Sequence, residues 1–496
     1  MEETDAPLRL PAESLTTSGR ASKRSERFAS GIVLAVLFAA PALICVHAAR
    51  AADPDIWWHI RAGEWILQHR AVPHVDAFSG PLGGNPWLDY SWLFELIVAK
   101  LSQWLGLVGV VAYSTAMIMA ITVAMYRLVR RLQGDFTLTI LLTYAAMFGV
   151  GHLYTPRPWL FTILLFVLEL DILMQVRRTG KLRELLWLPV IFALWSNVHI
   201  EFVDGLFVLG LAFAESLLAR WWPAARTRVG PVSLGGALLA SVLGTLANPF
   251  GWRIYHVAYD LATQGGALNK VSELQSIPFR DYTDFAILLF ALGSTAALAW
   301  RRRFPIFETA LLIFALVLSF RSQRDVWLII TVAVAILAST INGRNRAVRM
   351  PGFATPLAVF FACLAVWVGF RAMHVNKALL DAQVAGSFPV QAVETIRANG
   401  YSGPLYNDFN WGGYLIYALR MPVAIDGRQN LYGDKRIDRS VATWNGAPDW
   451  DTDPALTSDG IVIGPVKAPL TQLLRTDAHF KLAYEDKLAA VFVARK

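Results

Sequence analysis

Charged side chains are scarce in this chain of 496 residues. Asp, Glu, Lys and Arg make up only 17% of it, whereas hydrophobic residues make up 55%. A soluble domain usually carries about 25% charge. The deficit argues against an ordinary soluble protein and indicates that much of the chain faces lipid or other buried helices. Cysteine is scarce too: Cys45 and Cys363 both fall in apolar stretches, which gives no sign of a disulfide framework or a cysteine metal site.

Sequence motifs for nucleotide chemistry are also lacking. There is no Walker motif, no dinucleotide-binding fingerprint and no metalloprotease motif, which argues against a nucleotide-driven pump. The net charge of +8 does not indicate a nucleic-acid partner, because Lys and Arg sit in short clusters between apolar runs. Such clusters set the orientation of a membrane protein, and a nucleic-acid binder would instead interleave basic and aromatic residues over one surface.

Long apolar runs are abundant. A membrane-spanning helix needs about 20 mostly apolar residues. The sequence therefore predicts a polytopic α-helical membrane protein with about eleven spans, near residues 28–49, 107–126, 136–153, 159–175, 185–199, 203–219, 232–248, 285–300, 306–320, 326–342 and 354–372.

The loops between these spans alternate in charge. Clusters of three or four Lys or Arg occupy every second loop, as at 127–131, 177–183 and 301–303, whereas the loops between them carry few. Because Lys and Arg favour the cytoplasmic side, the basic loops and the N-terminus are predicted to be cytoplasmic. An odd number of spans then places the C-terminus outside. We expect a multi-pass protein of a bacterial inner (plasma) membrane whose C-terminal domain is periplasmic or extracellular.

Three regions follow from this pattern. Residues 1–27 are polar and are predicted to form a disordered cytoplasmic tail. Residues 28–372 form the transmembrane domain, with two long outer loops at about 50–91 and 249–284. Residues 373–496 alternate short strand and helix patterns, which predicts a small α/β domain. Its strands are expected near 404–406, 422–425, 460–463 and 488–494, and an amphipathic helix is expected at 92–104, before the second span.

The loop after the first predicted span carries the strongest candidates for chemistry. It reads Asp53-Pro-Asp-Ile-Trp-Trp-His59-Ile-Arg-Ala-Gly63, which sets two carboxyl groups at the end of a membrane helix beside bulky aromatic side chains. Partial burial raises the pKa of a carboxyl group and equips it to accept a proton. A structural alternative is that Asp53 or Asp55 caps the helix that follows, since Asp is a favoured N-cap.

Four further candidates lie at the outer ends of predicted spans. Arg157 lies at the mouth of a helical hairpin, and Arg324 lies beside Asp325 at a helix start, where a plain ion pair is the alternative. A guanidinium group can bind two phosphate oxygens at once. His199 and Glu201 end the fifth predicted span, and charged or imidazole groups at membrane level usually face a cavity. A satisfied structural histidine is the alternative for His199.

These motifs resemble those of the GT-C glycosyltransferase superfamily, and in particular a bacterial branch of it. Proteins of this superfamily have many spans, an acidic residue in the first outer loop and a soluble C-terminal domain outside. The resemblance covers most of the chain in short pieces, namely Asp53-x-Asp55-x-Trp57-Trp58-His59-x3-Gly63, Pro73-x2-Asp76-x-Phe78-Ser79, Trp87 to Glu95, Arg157-Pro158, Trp195-x-Asn197-x-His199, Asn248-Pro249-Phe250-Gly251, Gly412 to Ile416 and Asp426-Gly427-Arg428-x2-Leu431-Tyr432-Gly433.

The resemblance implies an inverting sugar transfer from a polyprenyl-phosphate donor. Asp53 would be the general base, with Asp55 as its rival, and it would deprotonate an acceptor hydroxyl that attacks the anomeric carbon. The partners would be the lipid donor, membrane lipid and an acceptor that is a glycan, a lipid or a protein. Some members hold a divalent metal at an acidic site, so Mg²⁺ or Mn²⁺ on Asp53 and Asp55 stays open. The substrate-binding candidates are His59, Arg157, His199, Glu201 and Arg324.

Two other functions remain open at this point. A ligase or polymerase of surface polysaccharide also works outside and uses Arg and His in outer loops, but it would not need an acidic first loop. A transporter or scaffold would need no catalytic carboxylate. Transporters often show two similar halves and helices broken near the middle of the membrane, and the sequence shows neither clearly.

Overall fold

The structure, a computed structural model, describes residues 13–80, 84–219, 221–222, 227–263, 271–301, 305–341, 352–458 and 460–495. It is mainly helical, with one small sheet near the C-terminus. The helices are α1 (Glu13–Ala48), α2 (Ile56–His69), α3 (Trp92–Leu105), α4 (Leu107–Leu132), α5 (Phe136–Gly149), α6 (Trp159–Thr179), α7 (Leu188–Val198), α8 (Phe202–Leu218), α9 (Pro231–Thr245), α10 (Ile254–Thr263), α11 (Tyr282–Ala299), α12 (Ile306–Arg321), α13 (Val326–Thr340), α14 (Ala354–Ala372), α15 (Lys377–Ser387), α16 (Val390–Ala398), α17 (Gly412–Leu419), α18 (Gln429–Trp444), α19 (Pro454–Ser458) and α20 (Pro469–Thr476).

A helix occupies each of the eleven segments predicted to cross the membrane. Helices α5, α7, α8, α9 and α12 are shorter than 18 residues. The structure confirms a multi-pass membrane protein, and the count of eleven spans stays a prediction. Among the described residues, six helices are long and apolar enough to cross a membrane, namely Arg27–Ala48, Leu107–Leu132, Trp159–Thr179, Tyr282–Ala299, Gln323–Thr340 and Ala354–Ala372.

Helix α1 begins earlier than the sequence suggests. Residues 13–27 are helical in the structure, although they fall in the segment predicted to be a disordered tail. Residues 1–12 lie outside the described part of the chain. The polar composition that predicted disorder does not prevent a helix here. These residues extend a long apolar helix at its N-terminal end, and adding residues to an existing helix is easier than starting a new one.

Helix α6 lies at the centre of the helix bundle. It is buried along most of its length and packs against α4, α7, α8 and α13. Most of its side chains are apolar, and the buried carboxyl groups of Glu169 and Asp171 lie among them. Its N-terminal turn follows Pro158, whose ring fits the start of a helix because no backbone N–H is needed there. The central helix therefore carries Arg157 at its outer mouth.

The first outer loop folds into two helices that cross closely. At Gly63 a Cβ atom would lie 2.1 Å from the Glu95 carbonyl oxygen, so only glycine allows α2 to approach α3 this tightly. The predicted amphipathic helix at 92–104 is present as α3, which buries Phe94 and Val98 against its neighbours. The crossing also brings His59 of α2 to Glu95 of α3, with Nδ1 and Oε1 3.0 Å apart.

The C-terminal domain is built on a four-stranded sheet. Its strands are β1 (Leu405–Asn407), β2 (Ile461–Pro465), β3 (Phe480–Glu485) and β4 (Ala489–Ala494), in the order β1-β2-β4-β3. Strand β1 pairs parallel to β2, and the other pairs are antiparallel. The strand predicted at 422–425 is wrong, because only Val423 pairs there, in isolated bridges to Leu405 and Ser79.

Those bridges join the C-terminal domain to the first outer loop. The N–H of Gly80 donates to the Val423 carbonyl at 2.9 Å, and the N–H of Val423 donates to the Phe78 carbonyl at 3.1 Å. Nearby, the Trp57 ring packs edge-on against Tyr414 of α17, with ring centroids 5.2 Å apart. The C-terminal domain is therefore packed directly on the loop that carries the candidate carboxylates.

Candidate functional site

Asp53 and Asp55 both lie between the end of α1 and the start of α2. The Asp53 carboxylate accepts a hydrogen bond from the Asp55 backbone N–H at 2.9 Å. Asp55 stands at the N-cap position of α2, but its side chain makes no capping bond within the described part of the chain. The capping alternative therefore does not explain the Asp55 carboxylate, which is available for other contacts.

Arg157 is the partner of both carboxylates. Its Nε lies 2.7 Å from Asp53 Oδ1, its Nη1 contacts Asp55 Oδ2, and its Nη2 lies 3.8 Å from Glu273 Oε2. The Arg157 carbonyl also accepts a hydrogen bond from the Tyr113 hydroxyl at 3.2 Å, which fixes the backbone on α4. One guanidinium thus faces three carboxyl groups, and the cluster carries an excess of negative charge.

The surroundings make Asp55 more basic than an ordinary aspartate. Burial raises the pKa of Asp55 to about 6, against the opposing effect of Arg157, and the nearby negative charge of Asp53 adds to the rise. At pH 7 the group is ionised, yet it binds a proton more readily than an ordinary aspartate. This is the property that a general base near neutral pH needs.

His199 lies in a chain of buried polar side chains above α6. The Trp195 indole donates to Thr162 Oγ1 at 2.9 Å, and that oxygen lies 2.9 Å from His199 Nδ1. The same nitrogen lies 3.3 Å from Glu201 Oε2. Burial by itself would raise the pKa of Glu201, but His199 and then Arg324 hold it below its ordinary value. Glu201 therefore stays ionised between an imidazole and a guanidinium.

Arg324 is less fully paired than Arg157. Its Nη2 lies 3.4 Å from Glu201 Oε1 and its Nε lies 3.8 Å from Asp325 Oδ1. The buried Nε has no hydrogen-bond acceptor among the described residues. Arg324 lies at the N-terminal end of the helix that continues as α13, which holds its charge at that end of the bundle.

A cavity of about 70 Å³ brings most of the predicted residues together. Its wall includes Asp55, His59, Arg157, His199 and Arg324. The two remaining candidates line neighbouring cavities. Asp53 lines one of about 150 Å³, and Glu201 lines one of about 180 Å³. Arg324 lines all three cavities. The structure thus places the seven candidates on the walls of three neighbouring cavities that share Arg324.

Comparison with solved structures places this arrangement in a known fold. The apo oligosaccharyltransferase of Archaeoglobus fulgidus matches 89% of this chain and 70% of its own, with 11% identity and a TM-score of 0.56. The same enzyme tethered with an acceptor peptide gives 0.54. ArnT from Cupriavidus metallidurans bound to undecaprenyl phosphate matches 92% of this chain and 97% of its own, with 13% identity and a TM-score of 0.50. Both are GT-C membrane glycosyltransferases.

The chain has a GT-C fold. Comparison with family models and with curated protein sequences finds no match. At 11–13% identity the likeness establishes the fold alone, and function has to be argued from the site.

Three residues at the cavity of about 70 Å³ come from the C-terminal domain and were not predicted. Gly427, Gln429 and Asn430 line it. A Cβ atom on Gly427 would lie 1.9 Å from Asp55 Oδ1, so the backbone there touches the carboxylate directly. The only sequence signal was Asp426-Gly427-Arg428, which by itself is also ordinary turn chemistry. The motif reaches the cavity through contacts with residues more than 350 positions earlier in the sequence.

Arg428 holds this segment in place. Its guanidinium donates to Asp76 Oδ1 at 2.5 Å, to Asp426 Oδ2 at 2.7 Å and to Ser79 Oγ at 3.0 Å. The Tyr432 hydroxyl donates to Asp426 Oδ2 and lies 2.7 Å from Ser79 Oγ. All of these groups are buried. We call this group of residues the Arg428 cluster; its members are Asp76, Ser79, Asp426, Arg428 and Tyr432. The cluster links the C-terminal domain to the first outer loop.

Other motif residues have structural roles. Asn197, which shares a helix end with His199, accepts a hydrogen bond from the Trp92 indole at 2.9 Å and donates to the Ala247 carbonyl at 2.8 Å. It ties α3 and α9 to α7. The cavity described above is lined by His199 and not by Asn197, so proximity in sequence did not predict which of the two faces it.

The two first-loop aspartates do not form a metal site as they are placed. Arg157 lies between them, in the position that a divalent cation bridging both carboxylates would take. No group of three or more His, Cys, Asp or Glu within the described ranges is arranged to hold a metal ion. The donor set does not fit Mg²⁺ or Mn²⁺ without displacement of Arg157, and we derive no step through a metal.

Proposed function

We propose that the protein is a glycosyltransferase that moves a sugar from a polyprenyl-phosphate donor to an acceptor hydroxyl on the outer face of the membrane. The single observation that carries the proposal is the shared cavity, in which a carboxylate with a raised pKa lies beside cationic groups at membrane level. The GT-C fold supports the same reaction class. The identity of the sugar and of the acceptor is outside this proposal.

Asp55, rather than Asp53, is the general base in this proposal. Asp55 lines the central cavity, whereas the Asp53 carboxylate is occupied by the backbone N–H of Asp55 and lines a neighbouring cavity. The acceptor hydroxyl gives its proton to Asp55, and its oxygen forms a bond to the anomeric carbon. The bond from that carbon to the phosphate oxygen breaks, and the lipid phosphate leaves. A direct displacement of this kind inverts the anomeric configuration.

Arg324 is the cation that we assign to the leaving phosphate. Negative charge develops on the phosphate as the bond breaks, and a fixed cation stabilises it. Arg157 is already matched by three carboxyl groups, whereas the contacts of Arg324 to Glu201 and Asp325 are longer, at 3.4 and 3.8 Å. Arg157 therefore orients and tunes Asp55, and Arg324 is the better placed to bind phosphate.

Reconstitution tests this proposal. Purified protein in liposomes is supplied with a panel of radiolabelled polyprenyl-phosphate sugars, and sugar transfer or release is scored. Loss of a general base lowers the rate about 10²–10⁴-fold, so Asp55→Asn is expected to lose turnover by that factor while it still binds the lipid. Asp53→Asn, matched in chemistry and two residues away, is expected to retain more activity. Full activity of Asp55→Asn would exclude its role as the base.

A further inference from the structure

A second group of carboxyl residues lies behind the cavity and takes no part in the mechanism above. Where α2 crosses α3 at Gly63, the imidazole of His59 meets the carboxyl group of Glu95. His59 Nδ1 lies 3.0 Å from Glu95 Oε1, and both side chains are buried. The Trp58 and Phe94 rings pack against the imidazole, with centroids 3.5 and 4.8 Å away, and hold its orientation.

Asp89 extends this contact away from the cavity. Its carboxyl group lies within hydrogen-bonding reach of Glu95. Asp89 Oδ2 and Glu95 Oε2 are both buried, and neither has a hydrogen-bond donor among the described residues. An ionised carboxylate that is buried without a donor is costly. One proton between the two carboxyl groups would satisfy both oxygens at once, as in other close carboxyl pairs.

The charges around this group are consistent with a shared proton. The pKa of Asp89 is raised to about 6 and that of Glu95 well above its usual range, in both cases mainly by burial. The titratable and charged groups facing the three residues are Arg157, His199 and Arg428. Burial, and after it the charge of Arg157, lower the pKa of His59, so its imidazole is neutral at pH 7.

The side chain of His59 connects the carboxyl pair to the cavity. It lies one turn after Asp55 on α2, so the two side chains fall on the same face of the helix, and both line the cavity of about 70 Å³. Because Nδ1 is directed to Glu95, Nε2 is the ring nitrogen that remains for the cavity. Neither Asp89 nor Glu95 lines that cavity itself.

We propose that Asp89, Glu95 and His59 form a proton store for the transfer site, in which Asp89 and Glu95 share one proton and His59 links the pair to Asp55. This inference rests on the proposed function. After transfer, Asp55 carries the proton of the acceptor hydroxyl. His59 Nε2 accepts that proton while the Nδ1 proton passes to Glu95, and the carboxyl pair then holds two protons. One proton returns through His59 to water before the next turnover, so no other reactant is needed.

Infrared spectroscopy of the purified protein tests the shared proton without any substrate. A protonated carboxyl group has a C=O stretch that an ionised one lacks. In lipid nanodiscs at pH 7 we expect wild-type protein to show a band that is lost in both Glu95→Gln and Asp89→Asn and kept in Asp55→Asn. Glu169→Gln, which removes a buried carboxyl group of α6, serves as the matched control and should keep the band that the two test variants lose. A band unchanged in both test variants would overturn the shared proton.

Kinetics of the reconstituted enzyme tests the link through His59. We expect Glu95→Gln and His59→Gln each to lower kcat about 10-fold or more, with little change in the KM for the donor. The double variant should be no slower than the worse single variant, because residues of one relay act as a unit. Multiplied losses would overturn the relay. If wild-type protein shows no transfer, the proposed function fails, while the infrared result still decides whether the carboxyl pair shares a proton.

Discussion

Two arginines of this protein, Arg157 and Arg428, each contact more than one carboxyl group, and of these two it is Arg157 that lines the central cavity. Arg428 and its carboxylate partners are fully buried, and its donors are taken up by Asp76, Asp426 and Ser79. Arg157 retains 11% exposure, has partners that reach solvent, and lines the central cavity. Similar arginine–carboxylate clusters can therefore belong to a functional site or stabilise the fold, and access to a cavity distinguishes the first from the second.

Substitution of each arginine by alanine should give the clearest difference between the two clusters. Loss of one partner from a buried ionic cluster costs about 3–5 kcal/mol, because the remaining charges are left unpaired. Arg428→Ala is expected to lower the free energy of unfolding by that amount. Arg157→Ala should cost less, about 1–2 kcal/mol, because its carboxylate partners can be hydrated. Thermal and denaturant unfolding in detergent measures both.

The same pair of variants contains its own control. Arg157→Ala should lose transfer activity although most of the protein remains folded, whereas Arg428→Ala should lose activity in proportion to the unfolded fraction. Equal destabilisation by the two substitutions would contradict the distinction between fastening and site.

The contact between Gly427 and Asp55 connects the two regions. In Gly427→Ala the new Cβ would fall 1.9 Å from Asp55 Oδ1, so either the carboxylate or the C-terminal segment must move. Because a displacement of about 1 Å can cost up to 10²-fold in rate, we expect kcat to fall at least tenfold. Gly386→Ala is the matched control, since its Cβ would meet no atom within 4 Å. A normal rate for Gly427→Ala would show that Asp55 tolerates displacement.

The pH dependence of transfer should reveal how Arg157 tunes Asp55. With the pKa of Asp55 at about 6, the base is lost by protonation as the pH falls below 6, and the rate should then drop tenfold per pH unit. Arg157 favours the charged form of Asp55. Arg157→Gln should therefore move the acidic limb of the pH–rate profile to higher pH by about one unit or more. Asp53 opposes the charged form, so Asp53→Asn should move it to lower pH.

Rates measured from pH 4.5 to 8.5 for residual activity of the two variants decide this prediction. Shifts in the same direction for both variants would contradict the assignment of the limb to Asp55.

The sequence predicted the membrane fold better than the site, and the reason is physical. Hydropathy is a local property, so all eleven apolar segments appear as helices. Helix α18 was missed because its sequence, Gln429–Trp444, is mostly polar. Strand β3 was missed because it is an edge strand with a mixed pattern, Phe-Lys-Leu-Ala-Tyr-Glu. The apolar run at 422–425 resembled a strand, but its neighbours leave room for pairing only at Val423.

Candidate residues at a common membrane depth could be predicted to converge, and the structure brings Asp55, Arg157, His199 and Arg324 to one cavity. The choice between Asp53 and Asp55 could not be predicted, because it depends on which carboxylate the backbone N–H of Asp55 occupies. Contributions from the C-terminal domain depend on pairing between residues more than 350 apart, and no local pattern encodes such a contact.

The smallest expected effect concerns a single hydroxyl in the Arg428 cluster. Ser79 Oγ accepts from Arg428 Nη2 at 3.0 Å and lies 2.7 Å from the Tyr432 hydroxyl, yet Tyr432 and Arg428 both keep Asp426 as a partner without it. Ser79→Ala should therefore cost about the net value of one hydrogen bond, 0.5–1.5 kcal/mol, and leave kcat unchanged at saturating donor. A comparison of melting and transfer rates with wild type measures both. A strong loss of activity without loss of stability would mean that the Arg428 cluster takes part in the reaction and does more than fasten the domain that covers it.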